Sequence, residues 1–275
     1  MDKDYLRRFL NDRGYNAISW GLGRNASEAK ADSMEQFMRH RAGIEDRIAQ
    51  RIEQGDFHWS IAREDVHMNI EAALTEADAR KYALAYEQAI EALAKECRAG
   101  DFVQNPGISV KLSALHPRYE EANRRRVMAE LVPVLRRLTR KAAAAGMGLN
   151  IDAEESERLD ISLDVIEAVL KDPDLQGWDG FGVVVQAYGK RAGPTIDWLY
   201  ALAQRLDRRI MLRLVKGAYW DSEIKRAQVE GAPGFPVFAQ KSATDRSYIQ
   251  LASKLFGMQD RIYPQCATHK AHSVA

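Results

Sequence analysis

Short apolar runs alternate with amphipathic stretches of ten or more residues from about Thr75 to the end of this 275-residue chain. The apolar runs have the length of β-strands, and the amphipathic stretches carry apolar residues at helical spacing. Strands that alternate with helices of this length form βα units, and βα units build a parallel sheet. Val183, Val184 and Val185 make one strand apolar on both faces, as expected between two layers.

The alternation predicts five strands and the helices between them. Strands are expected at 108–112, 148–151, 181–188, 210–215 and 261–264, and helices at 124–144, 156–170, 195–206, 222–229 and 244–256. A further helix is expected after Thr75, an N-cap residue with Asp78 three positions on. Neither a Gly-x-Gly-x-x-Gly nor a Walker loop is present. The sequence therefore favours a (βα) barrel over a doubly wound nucleotide-binding sheet.

Charge and composition exclude several classes of protein. The 40 Lys and Arg residues nearly balance the 39 Asp and Glu residues, so a general nucleic-acid surface is not predicted. No apolar run reaches the roughly 20 residues of a membrane span, and the first residues lack an apolar signal core. Two cysteines suit a reducing compartment. A cytoplasmic protein is expected.

The first part of the chain differs from the rest in pattern. Apolar residues recur at helical spacing within 34–52, and no internal repeat or low-complexity linker is present. We expect residues 1–70 to form a helical N-terminal segment and residues 71–275 to form the barrel-type domain.

Polar residues stand at the ends of the predicted strands: Lys111, Asp152, Gln186, Lys216 and Thr268. Carboxyl ends of parallel strands meet at one edge, where barrel enzymes carry their chemistry. Lys111 either faces a site, paired with a carboxylate or an anionic ligand, or reaches solvent at the sheet edge. Asp152 either pairs with Lys111 across neighbouring strands or caps the start of the next helix.

Two further stretches carry candidate ligand contacts. The loop from Gln186 to Arg191 either holds a phosphate or a flavin edge, or is a solvated basic turn. Arg213 and Lys216 are followed by Gly217, which permits close approach of the backbone. Next come aromatic residues that either stack on a planar ligand or pack against a helix.

Two histidines lie three residues apart near the end of the sequence, at His269 and His272. No third ligand at suitable spacing accompanies them, so a metal site is not predicted. Thr268 and His269 are better interpreted as hydrogen-bond donors to a cofactor.

Five ordered motifs give the chain a family resemblance. They are ISVKLSALHPRYE (108–120), LNIDAEESERLDISLD (149–164), VVVQAYGKR (183–191), RLVKGAYWDSEIKRAQ (213–228) and YPQCATHKAH (263–272). With them, residues 71–275 resemble the proline dehydrogenase domain of bacterial bifunctional proline-utilisation flavoenzymes. The resemblance implies a distorted (βα)8 barrel that binds FAD. It also implies oxidation of L-proline to pyrroline-5-carboxylate, with electrons passed to a membrane quinone.

The resemblance also implies roles for individual residues. Lys111 and Asp152 match the family's active-site lysine and aspartate, and Arg191 is expected near flavin N5. The implied chemistry is hydride transfer from the proline ring to the flavin. The positions that match cofactor-binding motifs are Gln186, Arg191, Arg213, Lys216, Gly217, Trp220, Thr268 and His269.

The sequence departs from the family pattern in several places. The family's ATHN motif reads Ala-Thr-His-Lys here, with Lys270 at its last position. Ala192-Gly193 stands where the family usually has Cys-Pro. No match is found for the last strands or for the Tyr-x-x-Arg-Arg-x-x-Glu helix, so an incomplete barrel is expected. Residues 48–75 resemble argininosuccinate lyase, in which the positions of Asp65 and His67 lie near substrate, but that family's catalytic-serine loop is absent. A join between two family fragments is expected near residue 71.

Three hypotheses follow from these observations. The first is an FAD-dependent proline dehydrogenase that uses L-proline and a quinone, binds no nucleic acid and makes at most peripheral contact with the inner face of a membrane. The second is an inactive barrel fragment that binds flavin weakly. The third is a non-enzymatic interaction module formed by residues 1–70. Exposed strand edges in an incomplete barrel predict self-association.

Overall fold

The computed structural model describes residues 66–67, 70, 72–98 and 102–267, and the structural statements below concern those residues. Six parallel strands form one sheet in chain order. They are β1 (Val66–His67), β2 (Ile108–Val110), β3 (Leu149–Ile151), β4 (Phe181–Gln186), β5 (Ile210–Val215) and β6 (Ile262–Cys266). Each strand pairs with the next one, so β1 and β6 are the two edges of the described sheet.

Six α-helices accompany the strands in the described part of the chain. They are α1 (Glu76–Ala94), α2 (Arg124–Ala144), α3 (Leu159–Leu170), α4 (Ala192–Arg205), α5 (Trp220–Val229) and α6 (Lys241–Phe256). The predicted N-cap of α1 is confirmed, because Thr75 Oγ1 accepts from Asp78 N and Asp78 Oδ2 accepts from Thr75 N. None of the described helices combines the length and apolarity needed to cross a bilayer.

The predicted βα alternation is confirmed, and its differences from the structure have local causes. β2 ends at Val110, because Leu112–Ala114 turn into a 3-10 helix. The helix expected from residue 156 opens as a 3-10 turn and becomes α-helical at Leu159. The expectation of helix through residue 70 is wrong at β1, where Val66 and His67 form a strand that pairs with β2. The helical expectation for residues 1–65 lies outside the described residues.

The two faces of the sheet differ in chemistry. The face toward the helices is apolar and almost completely buried, and it carries Ile108, Val110, Leu149, Ile151, Phe181, Val183, Val185, Ile210, Leu212, Leu214 and Ile262. Because side chains alternate along a strand, the intervening residues face the other way. That inner face carries Ser109, Asn150, Asp152, Gly182, Met211, Arg213, Tyr263 and Gln265.

Contacts across the inner face show that the sheet curls. Arg213 Nη1 on β5 donates to Ser109 Oγ on β2 at 3.0 Å. In a flat sheet these strands lie about 14 Å apart, and their side chains stand roughly perpendicular to the sheet. Phe102, before β2, also makes an edge-to-face contact with Tyr263 on β6, with ring centroids 5.9 Å apart. The predicted barrel-type curvature is confirmed, and the described strands do not close it.

Candidate active site

The strand register brings three of the predicted site residues to one level of the inner face. Val110 pairs with Ile151 and Val184 pairs with Arg213, so Lys111, Asp152 and Arg213 lie at one level across β2, β3 and β5, with β4 between the last two. Lys111 directly follows β2 and Asp152 directly follows β3. The expectation that strand-end polar residues share one edge is met by these residues.

Asp152 and Arg213 form the charged centre of this edge. Arg213 Nη1 lies 3.7 Å from Asp152 Oδ1, and the two side chains are 13% and 18% exposed. The hydrogen bond from Arg213 to Ser109 turns the guanidinium across the concave face. Charges that are largely removed from water interact more strongly than surface charges. This edge can therefore bind and orient a small charged molecule.

The sequence left open whether Asp152 pairs with Lys111, and no ion pair joins these two side chains in the described part of the chain. Lys111 Nζ donates to the main-chain oxygen of Ile70 at 3.5 Å, on the side of β1. The Lys111 N–H donates to the hydroxyl of Tyr86 on α1 at 3.2 Å. Arg213 reaches Asp152 instead, because the curl of the sheet brings a long side chain on β5 over β3. The curl of the sheet is a tertiary property, and a prediction that considers only adjacent strands does not include it.

Glu154 and Gln186 join the loops that follow the strands. The Glu154 carboxylate is 4% exposed and accepts from Ser113 N and from Arg158 Nη1. Gln186 Nε2 donates to the main-chain oxygen of Glu154 at 2.9 Å, and Gln186 Oε1 accepts from Ala218 N at 3.0 Å. The sequence analysis singled out Gln186 but not Glu154.

The loop after β4 is not a backbone cradle for phosphate. The N–H groups of residues 187–190 and 192 all donate to main-chain carbonyls. One of these carbonyls lies in the segment after β5 and another in the segment before α6. Backbone phosphate sites need N–H groups that point toward the ligand, and here those groups are already used. Arg191 is half exposed; it donates to Asp160 on α3 and to the Ser156 carbonyl. Its described contacts hold the loop after β3.

Lys216 lies on the helix side of the sheet. Its Nζ donates to Asp245 Oδ1 on α6 at 2.5 Å and lies 5.6 Å from the centre of the Tyr248 ring. The hydrogen bond from Lys216 is the main reason that the pKa of Asp245 falls to about 2. The described contacts of Lys216 therefore join β5 to α6.

The two other residues predicted in this loop have packing roles in the structure. Gly217 has a φ of 136°, and a Cβ there would lie 2.5 Å from the Tyr188 ring, so a side chain would clash. Trp220 Nε1 donates to the Phe238 carbonyl at 2.9 Å, so its indole holds the segment before α6. Thr268 and His269 lie outside the described residues.

The residues of the inner face fit the polar edge of a flavin ring. Arg213 supplies a cation there, and Gln186 supplies an amide at the carboxyl end of the neighbouring strand. Gln265 pairs with Arg213 across the sheet, and its buried Oε1 has no hydrogen-bond partner among the described residues. Donors and an acceptor on a concave, largely buried face are the groups that such a ring needs.

A parallel sheet curled toward a barrel, with charged side chains at its carboxyl ends, is the architecture of a βα-barrel enzyme. The chain belongs to the proline dehydrogenase family: the family model described as proline dehydrogenase matches residues 48–275.

Curated relatives agree with this family. The chain is 52% identical over 227 residues to the bifunctional protein PutA of Salmonella typhimurium, covering 82% of this chain and 17% of that protein. It is 52% identical over 202 residues to the PutA of Rhizobium meliloti, covering 73% of this chain and 16% of that protein. The chain thus spans about a sixth of the length of these relatives.

Solved structures show the same fold. A point variant of proline utilization A from Bradyrhizobium japonicum matches with a TM-score of 0.76 and 54% identity, over 77% of this chain and 22% of that chain. The Bdellovibrio bacteriovorus protein inactivated by N-propargylglycine matches with a TM-score of 0.70 and 27% identity, over 77% of this chain and 23% of that chain.

The resemblance to argininosuccinate lyase is confined to a short stretch. The chain is 76% identical over 29 residues to the lyase of Nitrosococcus oceani, which is 10% of this chain and 6% of that protein. The proline dehydrogenase match begins at residue 48, and Val66 and His67 pair with β2. The sheet therefore begins before the join that the sequence predicted near residue 71.

Proposed function

We propose that this chain binds FAD and oxidises L-proline to pyrroline-5-carboxylate at the inner face of its curled sheet. The observation that carries the proposal is the pair formed by Asp152, which directly follows β3, and Arg213, which lies within β5. It stands in a chain that is 52% identical to PutA over 227 residues. Barrel enzymes carry their active sites at this end of the strands.

The side chains at this edge are suited to a zwitterionic amino acid. The Asp152 carboxylate attracts the ammonium group of proline, and the ammonium group of Lys111 attracts the carboxylate of proline. The concave, largely buried face keeps water away from the proline ring. FAD, when bound, supplies the chemistry that accepts a hydride, whereas the protein supplies orientation and electrostatics.

The proposed flavin contacts divide into two groups. Gln186 and Arg213 lie on the inner face and are proposed to contact the flavin ring. Thr268 and His269 are proposed to donate hydrogen bonds to the cofactor, as the family resemblance implies. Arg191 keeps its proposed place near flavin N5 from the family resemblance. Lys216, Gly217 and Trp220 are proposed to hold the loops around the cofactor, since their described contacts are with protein groups.

The electron acceptor and the organisation of the chain belong to the same proposal. A quinone accepts the electrons, and any contact with the inner face of a membrane is peripheral. The division into an N-terminal segment and a barrel-type domain is kept as a proposal, with the predicted boundary near residue 71 moved to before β1, at Val66. Self-association through the edges of β1 and β6 is also proposed.

The experiment measures L-proline-dependent reduction of an electron-accepting dye by the FAD-loaded chain. Asp152→Asn is expected to lower kcat/KM by about 100-fold, because it removes the charge that orients substrate. The matched control is Asp197→Asn, since Asp197 on α4 is an exposed partner of Lys254 on α6. N-propargylglycine, which inactivates the Bdellovibrio relative, is expected to abolish turnover.

Two results contradict the proposal. The first is an FAD-loaded chain that does not turn over L-proline, which favours the fragment that binds flavin without catalysis. The second is an Asp152→Asn variant that matches the Asp197→Asn control, which removes Asp152 from the site.

A further inference from the structure

Glu154 is a buried carboxylate that the proposed reaction does not use. Its side chain is 4% exposed, and its two oxygens have different partners. Oε1 accepts from Ser113 N at 2.9 Å and Oε2 accepts from Arg158 Nη1 at 2.6 Å. A buried carboxylate is retained at low cost only where such bonds compensate its loss of water.

The bond to Ser113 caps the turn that follows Lys111. Leu112–Ala114 form a 3-10 helix whose N-cap residue is Lys111, and no side chain of the turn caps it. Glu154 supplies the missing acceptor from the loop after β3. The N–H of Lys111 is held from the other side by the Tyr86 hydroxyl. The backbone of Lys111 is therefore held on both flanks.

The main chain of Glu154 extends this link to the next two strands. Its carbonyl accepts from Gln186 Nε2 at the end of β4, and Gln186 Oε1 accepts from Ala218 N after β5. The ends of β2, β3, β4 and β5 are thus joined through two side chains. A shift of Glu154 changes the position of Lys111 relative to the rest of the edge.

We propose that Glu154 is a positioning residue for Lys111: its carboxylate fixes the turn after β2 and thereby the place of the Lys111 ammonium group at the edge. The effect on substrate rests on the proposed function, whereas the effect on the backbone and amine of Lys111 does not. Removing the carboxylate weakens substrate binding through Lys111 and leaves the chemical step largely unchanged.

The test compares Glu154→Gln with Glu157→Gln, an exposed glutamate of the same loop that pairs with Arg226. The Gln side chain has one acceptor oxygen, whereas Ser113 N and Arg158 Nη1 each donate to a separate oxygen of Glu154. Hydrogen exchange at the Ser113 amide is expected to become about tenfold faster in Glu154→Gln, as for one lost charge-assisted bond. Reductive methylation of Lys111 by formaldehyde, followed by mass spectrometry, is expected to speed up as well. Glu157→Gln is expected to leave both rates unchanged.

Kinetics separate positioning from a general structural role. KM for L-proline is expected to rise about tenfold in Glu154→Gln, with kcat changed by less than about threefold. In a Lys111→Ala background the same substitution is expected to add no further rise in KM, because its effect passes through Lys111.

Either of two results overturns the proposal. One is unchanged Ser113 exchange and Lys111 methylation in a folded Glu154→Gln variant, and the other is a KM effect that adds in full to that of Lys111→Ala. Failure of the wild-type chain to oxidise proline is a failure of the proposed function. The exchange and methylation rates then decide whether Glu154 positions Lys111.

Discussion

Gly182 on β4 is the position at which a single added methyl group tests the packing of the inner face most sharply. Asn150 pairs with Gly182 across the sheet, and its side chain fills the space above the glycine. A Cβ on Gly182 would lie 1.8 Å from Asn150 Oδ1 and 2.5 Å from its Cγ. Such contacts are not tolerated, so Gly182→Ala must displace a completely buried amide by about 1 Å or more.

The expected cost follows from overpacking in a closed interior. Inserting a methyl group into a well-packed region costs about 1–3 kcal/mol, and the displaced amide belongs at the upper end because it is polar. We expect Gly182→Ala to lower the free energy of unfolding by about 2–3 kcal/mol. The measurement is urea unfolding followed by circular dichroism, with an unchanged dependence on urea concentration.

Two further variants make the result specific. Gly234→Ala is the matched control, since an added Cβ meets nothing within 4 Å, and its effect is expected to stay within about 0.5 kcal/mol. Asn150→Ala removes the group that the new methyl meets. The double variant is therefore expected to be more stable than the sum of the single effects predicts. A Gly182→Ala protein as stable as the Gly234→Ala control would refute the described packing of β3 against β4.

Three other predictions concern groups held by hydrogen bonds or charge. Tyr86→Phe leaves the partly buried main-chain N–H of Lys111 without its acceptor and is expected to lower the free energy of unfolding by about 1–2 kcal/mol in urea unfolding. The pKa of Asp245 is about 2 in the folded chain, chiefly because of its bond from Lys216, and about 3.9 unfolded. The stability that this pair contributes is thus present above pH 4 and lost toward pH 2. Thermal unfolding across this range should show a smaller acid-induced loss of stability for Asp245→Asn than for the wild type. Asp172→Ala removes a carboxylate that is 1% exposed and pairs with Arg140, and it is expected to lower the free energy of unfolding by about 3 kcal/mol in urea unfolding. Glu91→Ala, at an exposed pair with Lys141, is expected to lower it by under about 1 kcal/mol.

The secondary structure was largely predictable because local patterns determine it. The apolar run at 210–215 has the bounds of β5, and the helix predicted at 124–144 has the bounds of α2. Differences arise where a side chain distant in sequence intervenes. Glu154 caps the turn after Lys111 and so shortens β2, an effect that no pattern within residues 108–112 contains.

The candidate site was predictable in its location but not in its pairing. Strand ends indicated Lys111 and Asp152, because polar residues after apolar runs mark the edge of a parallel sheet. The partner of Asp152 is Arg213, which reaches it only because the sheet curls. Glu154 was not singled out, since burial of a single carboxylate leaves no periodic signal in the sequence.

The loop after β4 shows how far composition can mislead. Two cations and a glycine favoured anion binding and solvation about equally, and the loop N–H groups prove to be used by neighbouring main-chain carbonyls. Arg191 reaches Asp160 and Ser156, because the loop after β3 lies beside it in the folded chain.

The most direct test of the account is the visible absorbance of the purified chain after FAD is added and unbound ligand is removed, recorded before and after addition of L-proline. We expect that flavin is retained and that its absorbance bleaches with L-proline. A chain that retains no flavin, or retains flavin that L-proline does not bleach, would contradict the proposal that the inner face is a proline-oxidising site.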